Sequence, residues 1–172
     1  MIRTNQNIWG WTTAAGTCIT ELLIGFILFT QEWGKSMQKL EQFFSTGDRF
    51  ARHSGIELLE VGPGRAKARM KIEPFHFNIA GTVHGGAIFT LADFAFAVAS
   101  NSHGTLAMGI NTSVSFVKTA LTGTLYADAR ELSRNAKLAT YSVMITDDAG
   151  DTVAIFQGMA YRKKESIIPS AT

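Results

Sequence analysis

Residues 65–72, RAKARMKI, alternate along the chain, with Ala66, Ala68, Met70 and Ile72 on one side. Successive side chains of an extended chain point to opposite faces, so this pattern predicts a half-buried strand. Residues 85–101 follow a different period. Ala87, Ile88, Leu91, Phe94, Ala95 and Val98 recur at helical spacing among many small residues, which predicts a buried helix able to pack closely. Upstream, Met37, Leu40, Phe43, Phe44 and Phe50 predict a helix over residues 37–53. Residues 56–61 predict a strand closed by the turn Gly62-Pro63-Gly64. A loop opened by Pro74 then runs to about Val83. Four further strands are predicted at 106–118, 124–132, 137–146 and 152–162, the last two joined by a hairpin turn at Asp147-Asp148-Ala149-Gly150-Asp151. One buried helix against a mostly antiparallel sheet is an α+β domain.

The first 36 residues differ in character. Residues 19–29, ITELLIGFILF, form an apolar run interrupted by Glu21 and too short to span a bilayer as a helix. Arg3 alone makes a thin basic region, and Phe29-Thr30-Gln31-Glu32 offers no small-residue cleavage site, so the pattern is not that of an export signal. The segment is expected to be either an amphipathic extension packing on the domain or sequence upstream of a natural start at Met37. The domain map is therefore residues 1–36 as an extension, 37–164 as the folded domain and 165–172 as a tail, with Arg162-Lys163-Lys164 as a solvated end.

Composition narrows the classes. With 172 residues, nearly half of them hydrophobic, the chain is long enough for one domain with a proper core. A net charge of +2 gives no case for nucleic acid. Cys18, the single cysteine, forms no internal disulfide, which fits a cytoplasmic location. His53, His76, His84 and His103 are scattered with no pair at helical ligand spacing, so neither a metal nor another cofactor is expected.

The chemistry concentrates between His76 and Asp93. Gly85-Gly86 opens the buried helix, where backbone N–H groups lack intrahelical partners and suit a developing negative oxygen. Asp93 is a lone acid in the apolar run of residues 87–99, a costly placement unless the acid is used or paired. Together they suggest an enzyme that attacks a carbonyl.

Asn78-x-x-Gly81-x-x-His84-Gly85-Gly86, followed by Phe89-Thr90-Leu91-Ala92-Asp93-x-Ala95-Phe96-Ala97, resembles the hot-dog-fold acyl-CoA thioesterases of the phenylacetic-acid-degradation (PaaI-like) type. The similarity continues through Ala99-Ser100-Asn101-Ser102, Ser115-Phe116-Val117-Lys118 and residues 152–158, and covers roughly residues 37–163. The resemblance implies a long helix wrapped by a curved antiparallel sheet. It also implies homodimers with two interface active sites, often paired into homotetramers, and metal-free hydrolysis of acyl-CoA. It places Asn78 where an amide helps orient water or nucleophile.

Within that frame the Gly85 N–H is expected to polarise the thioester carbonyl, aided by the helix dipole, with Gly86 keeping the approach open. A bland alternative is that the two glycines only permit a tight junction. Asp93 lies eight residues on, ~12 Å along a helix, too far to serve a carbonyl held at Gly85 of its own chain. Two antiparallel helices across a two-fold axis would bring the groups together. Asp93 then acts as nucleophile or as general base, or, in the bland alternative, is a buried acid capped by Thr90. Asn78 alternatively caps its loop, and His84 either holds the loop or touches the thioester. Phe89, Phe94, Phe96 and Phe77 are candidate acyl-pocket residues, and Lys118, Arg134 and Lys137 candidate contacts for CoA phosphates; ordinary core and solvated charge are the competing readings. Some relatives carry Ser or Thr one turn after the acid, where this chain has Ala97, and water positioning through that hydroxyl is lost.

Two other readings share the fold. A non-catalytic acyl-CoA sensor would add a DNA-binding module, but Arg3 is the only positive residue before Lys35 and Asp93 is retained. A hydratase expects His five residues after the acid, where Val98 stands, whereas a dehydratase could use His84. The leading expectation is hydrolysis of an aryl-acyl (phenylacetyl-like) or medium-chain acyl-CoA, with no nucleic-acid partner and no stable membrane insertion.

Overall fold

The computed structural model describes residues 14–168. Residues 1–13 of the extension and 169–172 of the tail lie outside them. The chain divides into two compact units, Met1–Ser36 and Met37–Thr172. Helix α1 (Ala14–Gly47) contains residues 19–29, and no helix among the described residues is long and apolar enough to cross a membrane.

The single helix expected over residues 37–53 is two. After α1 the chain breaks at Asp48, whose backbone is extended and whose carboxylate accepts from the Ala51 N–H at 2.9 Å, capping α2 (Arg49–His53). A side-chain cap competes with helix continuation, and Asp commonly takes this place. The break resets the helical phase. Leu40 and Phe44 are buried and Phe50, beyond the break, stays exposed; Phe43 is exposed on α1 itself, off the face of Leu40 and Phe44.

The domain's strands are β1 (Ile56–Gly62), β2 (Arg65–Lys71), β3 (Thr105–Phe116), β4 (Thr124–Arg134), β5 (Leu138–Thr146) and β6 (Thr152–Ser166). They form one antiparallel sheet in the order β1-β2-β4-β5-β6-β3, leaving β1 and β3 as edges. The alternation read in β2 is realised, with Ala66, Ala68 and Met70 buried and the basic residues exposed. Strand β6 runs beyond its expected end at Arg162. The Arg162 guanidinium donates to the Asn135 carbonyl at 2.6 Å and to Thr105 Oγ1, and its backbone N–H donates to the Lys137 carbonyl. The expected solvated end thus begins as half-buried strand, and pairing continues to Ser166, taking in the first two residues of the expected tail.

Helix α3 (Gly85–Asn101) lies across the sheet, packing on β2, β4, β3 and β5. Ile88, Leu91, Phe94, Ala95, Val98 and Ala99 share one core with Met70, Leu125, Val143 and Phe156, all buried. Each large side chain buried in this way contributes about 1.5–3 kcal/mol. Phe96 stacks on Tyr141 and Phe156 and presses on Gly158, where an added Cβ would lie 2.9 Å from its ring.

Hydrogen bonds close the far end of α3 onto the sheet. Ser102 Oγ accepts from the Gly64 N–H at 2.7 Å, and the Gly64 carbonyl accepts from the Glu131 N–H. The Glu131 carboxylate in turn accepts from Tyr141 Oη at 2.7 Å and bonds His103 Nε2 at 2.8 Å. Burial works upward on the Glu131 pKa, but the bonds from Tyr141, His103 and Arg134 outweigh it and hold the carboxyl below its ordinary value. A Tyr141→Phe variant removes a bond to an ionised acceptor and should lose about 1.5–3 kcal/mol in urea unfolding at neutral pH. The loss should shrink as pH falls through the depressed Glu131 pKa, because the stability tied to the ionised carboxylate disappears there.

Candidate active site

The loop before α3 is held at several points. His76 is buried, its Nδ1 accepting from the Glu73 N–H at 2.9 Å and its Nε2 lying 3.0 Å from the Ser54 carbonyl. Its own carbonyl accepts the His84 N–H at 2.7 Å. Asn78 braces the turn that follows. Its Oδ1 accepts from the Ala80 and Thr82 N–H groups, and its Nδ2 donates to Thr82 Oγ1 at 2.8 Å. Asn78 is thus a loop-capping residue, with one amide hydrogen left over, since Nδ2 has two.

His84 is the N-cap of α3: its Nδ1 accepts from the Gly86 N–H at 2.8 Å. The Ala87 and Ile88 N–H groups turn back to the His84 carbonyl. The Gly85 N–H, among the described residues, donates to nothing. Of the bare amides expected at a helix start, a single one is left free, and the helix dipole favours negative charge there. Glycine leaves space here that a Cβ would crowd. A Cβ on Gly85 would meet the Phe116 ring at 3.0 Å, and one on Gly86 would meet His84 Nδ1 at 3.0 Å.

A cleft of ≈ 320 Å³ opens over this point, lined by Asn78, Thr82, Gly85, Ile88, Phe116 and Lys118 among others. A larger groove of ≈ 570 Å³ crosses the outer sheet face between Leu59, Tyr126, Arg130 and Met144. It contains neither Gly85 nor Asp93, whereas the smaller cleft contains Gly85 and Asn78 though not Asp93.

Asp93 lies on the exposed face of α3, eight residues and ~12 Å from Gly85 along the helix. The fold does not bring the pair together within one chain. Although the residue is exposed in the single chain, the surrounding protein desolvates its carboxyl enough to push the pKa above the ordinary carboxylate value, with the Asp48 carboxylate adding to the effect. No hydrogen bond to its carboxylate, from Thr90 or any other described residue, is formed; Thr90 Oγ1 donates instead to the Gly86 carbonyl.

The remaining candidates separate. Phe89 is half-buried and stacks edge-on against Phe156, while Phe77, 36% exposed, bridges to Val83 beside the cleft loop. Phe94 and Phe96 point into the core, Phe94 against Phe44, and neither lines the cleft. Lys118 lines the cleft, but its Nζ is bound to Asp147 at 2.6 Å and Asp151 at 2.7 Å, which hold the ammonium above its usual pKa. It is not an unengaged phosphate hook. Arg134 pairs with Glu131 near the C-terminal end of α3, and the Lys137 backbone bonds Asn135 and Arg162 there. Neither joins Gly85 in this chain, because the 17-residue helix separates its two ends by ~24 Å. No group of His, Cys, Asp and Glu able to hold a metal occurs among the described residues. Sequence reasoning did not assign Phe116 or Asp48 to the site. Phe116 reads there as a strand residue and Asp48 as part of a helix, and only the tertiary fold turns them toward Gly85 and Asp93.

Known proteins resemble this chain in sequence and fold. The family model described as Thioesterase superfamily matches residues 80–154. Acyl-coenzyme A thioesterase PaaI of Escherichia coli K12 is 32% identical over 116 residues, covering 67% of this chain and 83% of that protein. The structure of the E. coli PaaI protein from the phenylacetic acid degradation operon superposes with a TM-score of 0.75 at 28% identity, over 78% of this chain and 98% of that one. A variant of the phenylacetic acid degradation protein PaaI from Thermus thermophilus gives a TM-score of 0.65 at 32% identity, over 67% and 100%. The chain belongs to the thioesterase superfamily and is a PaaI-like hot-dog thioesterase.

The raised Asp93 pKa has a thermodynamic consequence. A carboxyl that is harder to ionise in the folded state gives stability that is full below its unfolded pKa and lost as pH rises through the folded value. Asp93→Asn should therefore raise the melting temperature at pH 7 relative to wild type, and the gain should vanish near pH 3. A melting series across that range is the check, and equal melting at every pH would contradict the assignment.

Proposed function

We propose that the protein hydrolyses an acyl-CoA thioester to free acid and CoA, with an aryl-acyl group of the phenylacetyl kind or a medium-length acyl chain as substrate. The observation that carries this reading is the single unclaimed amide at Gly85 beside a cleft, together with a lone raised carboxylate on the same helix. The thioester oxygen accepts from the Gly85 N–H, and the charge that builds on it in the transition state is stabilised by that donor and the helix start. Asp93 of a second copy supplies the attack, because its own copy holds it ~12 Å away along α3.

Two routes use the same groups. As nucleophile, the Asp93 carboxylate adds to the carbonyl carbon, the C–S bond breaks and CoA thiolate leaves, giving an anhydride that water cleaves to the acid and free Asp93. As general base, Asp93 takes a proton from water while the hydroxide adds, and the proton passes to the departing sulfur. Ala97 offers no hydroxyl to position that water, which favours the first route. Asn78 lines the cleft, and its remaining amide hydrogen is available to the nucleophile or water. The dehydratase alternative weakens at His84. A neutral imidazole accepting at Nδ1 carries its proton on Nε2, so the ring is a cap and a donor rather than a base. The sensor reading shares the binding steps and differs only in releasing no thiol.

Purified protein should release CoA thiol from phenylacetyl-CoA or a medium-chain acyl-CoA, and Asp93→Asn should lower kcat by at least about 10³-fold while the protein still unfolds cooperatively. Wild type that binds these thioesters without releasing thiol would establish the sensor instead. The shared site has its own test. Gly85→Ala and Asp93→Asn chains, each inactive alone, should regain about a quarter of wild-type activity when unfolded and refolded as an equal mixture, since half the dimers then contain one intact site. No recovery on mixing would place the whole site within one chain.

A further inference from the structure

We infer that Phe116 is a specificity-determining residue, the fixed wall against which the acyl group lies once its carbonyl oxygen is on the Gly85 N–H. The inference rests on the proposed thioesterase reading and goes beyond it by naming the residue that selects the acyl group.

Phe116 is the last residue of β3 and pairs with Ala154 of β6, on the same sheet face as Val114 opposite the buried Phe156. Its ring turns inward yet remains 52% exposed. The ring edge lies 3.0 Å from where a Gly85 Cβ would stand, so it flanks the free amide directly. A carbonyl oxygen accepting from that amide sits ~2.9 Å from the nitrogen, and its carbon lies about one bond further out. The first atoms of the acyl chain therefore fall within contact distance of the ring.

The backbone behind the ring is braced. The Val117 and Lys118 N–H groups both donate to the Val153 carbonyl, and Lys118 is clamped by Asp147 and Asp151 on the β5–β6 turn. The Ala120 carbonyl accepts from the Val83 N–H, tying the same segment to the loop that leads into α3. The Cα that carries the ring is thus held beside the amide, and a wall placed there discriminates by shape. A planar aryl or unbranched acyl group slides along the ring face, gaining an aromatic contact in the first case. Branching at the carbon next to the carbonyl drives a methyl into the ring. The remaining polar lining, Asn78, Thr82, Lys118 and Thr119, suits the amide-rich thiol arm better than the acyl group.

The test uses the full chain and three thioesters of the same thiol: phenylacetyl-CoA, hexanoyl-CoA and the branched isobutyryl-CoA. Wild type should prefer the first two. Phe116→Ala should raise the kcat/KM ratio of isobutyryl-CoA to hexanoyl-CoA by about tenfold or more, the scale of one methyl group in a close-fitting pocket. Phe116→Leu, which keeps an apolar side chain at the position, should shift the same ratio in the same direction and lower the preference for phenylacetyl-CoA. A folded Leu variant with all ratios within twofold of wild type overturns the inference, as does a change confined to the comparison of hexanoyl-CoA with hexanoyl-N-acetylcysteamine, which would put the ring against the thiol arm. Wild type that releases thiol from none of the thioesters overturns the thioesterase reading itself, a result distinct from an active wild type with unchanged ratios.

Discussion

The site depends on which amides at the start of α3 are already taken. His84 satisfies Gly86 through its ring, and the His84 carbonyl takes Ala87 and Ile88. Gly85 alone keeps its donor, and the Phe116 ring on one side with the capped turn on the other fixes where an acceptor can stand. An unpaired donor in a partly desolvated cleft is unfavourable in the resting protein, and in the proposed reaction that same unmet valence would serve, since a fixed donor needs no reorganisation when charge develops. The bracing of the loop through His76, Asn78 and Val83 stops the chain from relaxing to satisfy it.

That local arrangement is possible because the helix is seated so firmly. Its buried face is built from Leu91, Ala95, Val98 and Ala99, its middle is keyed by Phe96 against Gly158, and its far end is tied through Ser102 to Gly64 and Glu131. These anchors act along the middle and the far end of the helix. The start of the helix, where the Gly85 amide stays unpaired, is tied less firmly to the core, and the scaffold beyond it offsets that unmet bonding.

Much of this was legible from periodicity. The bounds of α3 agree with those read from the sequence, and the strand succession follows from alternation and turn residues. What escaped were effects that cross the chain. The helix over residues 37–53 breaks because Asp48 finds a closer backbone partner than helix continuation offers, a choice that apolar spacing does not register. Phe94 and Lys118 carry the residue types a binding site uses, yet Phe94 is held by Phe44 and Lys118 by carboxylates 29 and 33 residues later in the chain. Phe116 is the converse, an ordinary strand aromatic that register and inward orientation deliver to Gly85. Motif spacing identifies groups that are chemically special wherever they stand, whereas packing residues become functional only through their neighbours.

The eight-residue separation of donor and acid carries its own logic. An acid in the first turn of α3 would be stabilised by the helix dipole and by the bare amide itself, which would lower its pKa and occupy the donor. At Asp93, at the middle of a 17-residue helix, the field of the N-terminus has fallen away. Desolvation and the neighbouring Asp48 push the carboxyl in the opposite direction, toward greater basicity. Distance along the helix thus keeps the acid and the bare amide of one chain from neutralising each other. In the proposed shared site, a second copy would close the gap that the helix opens.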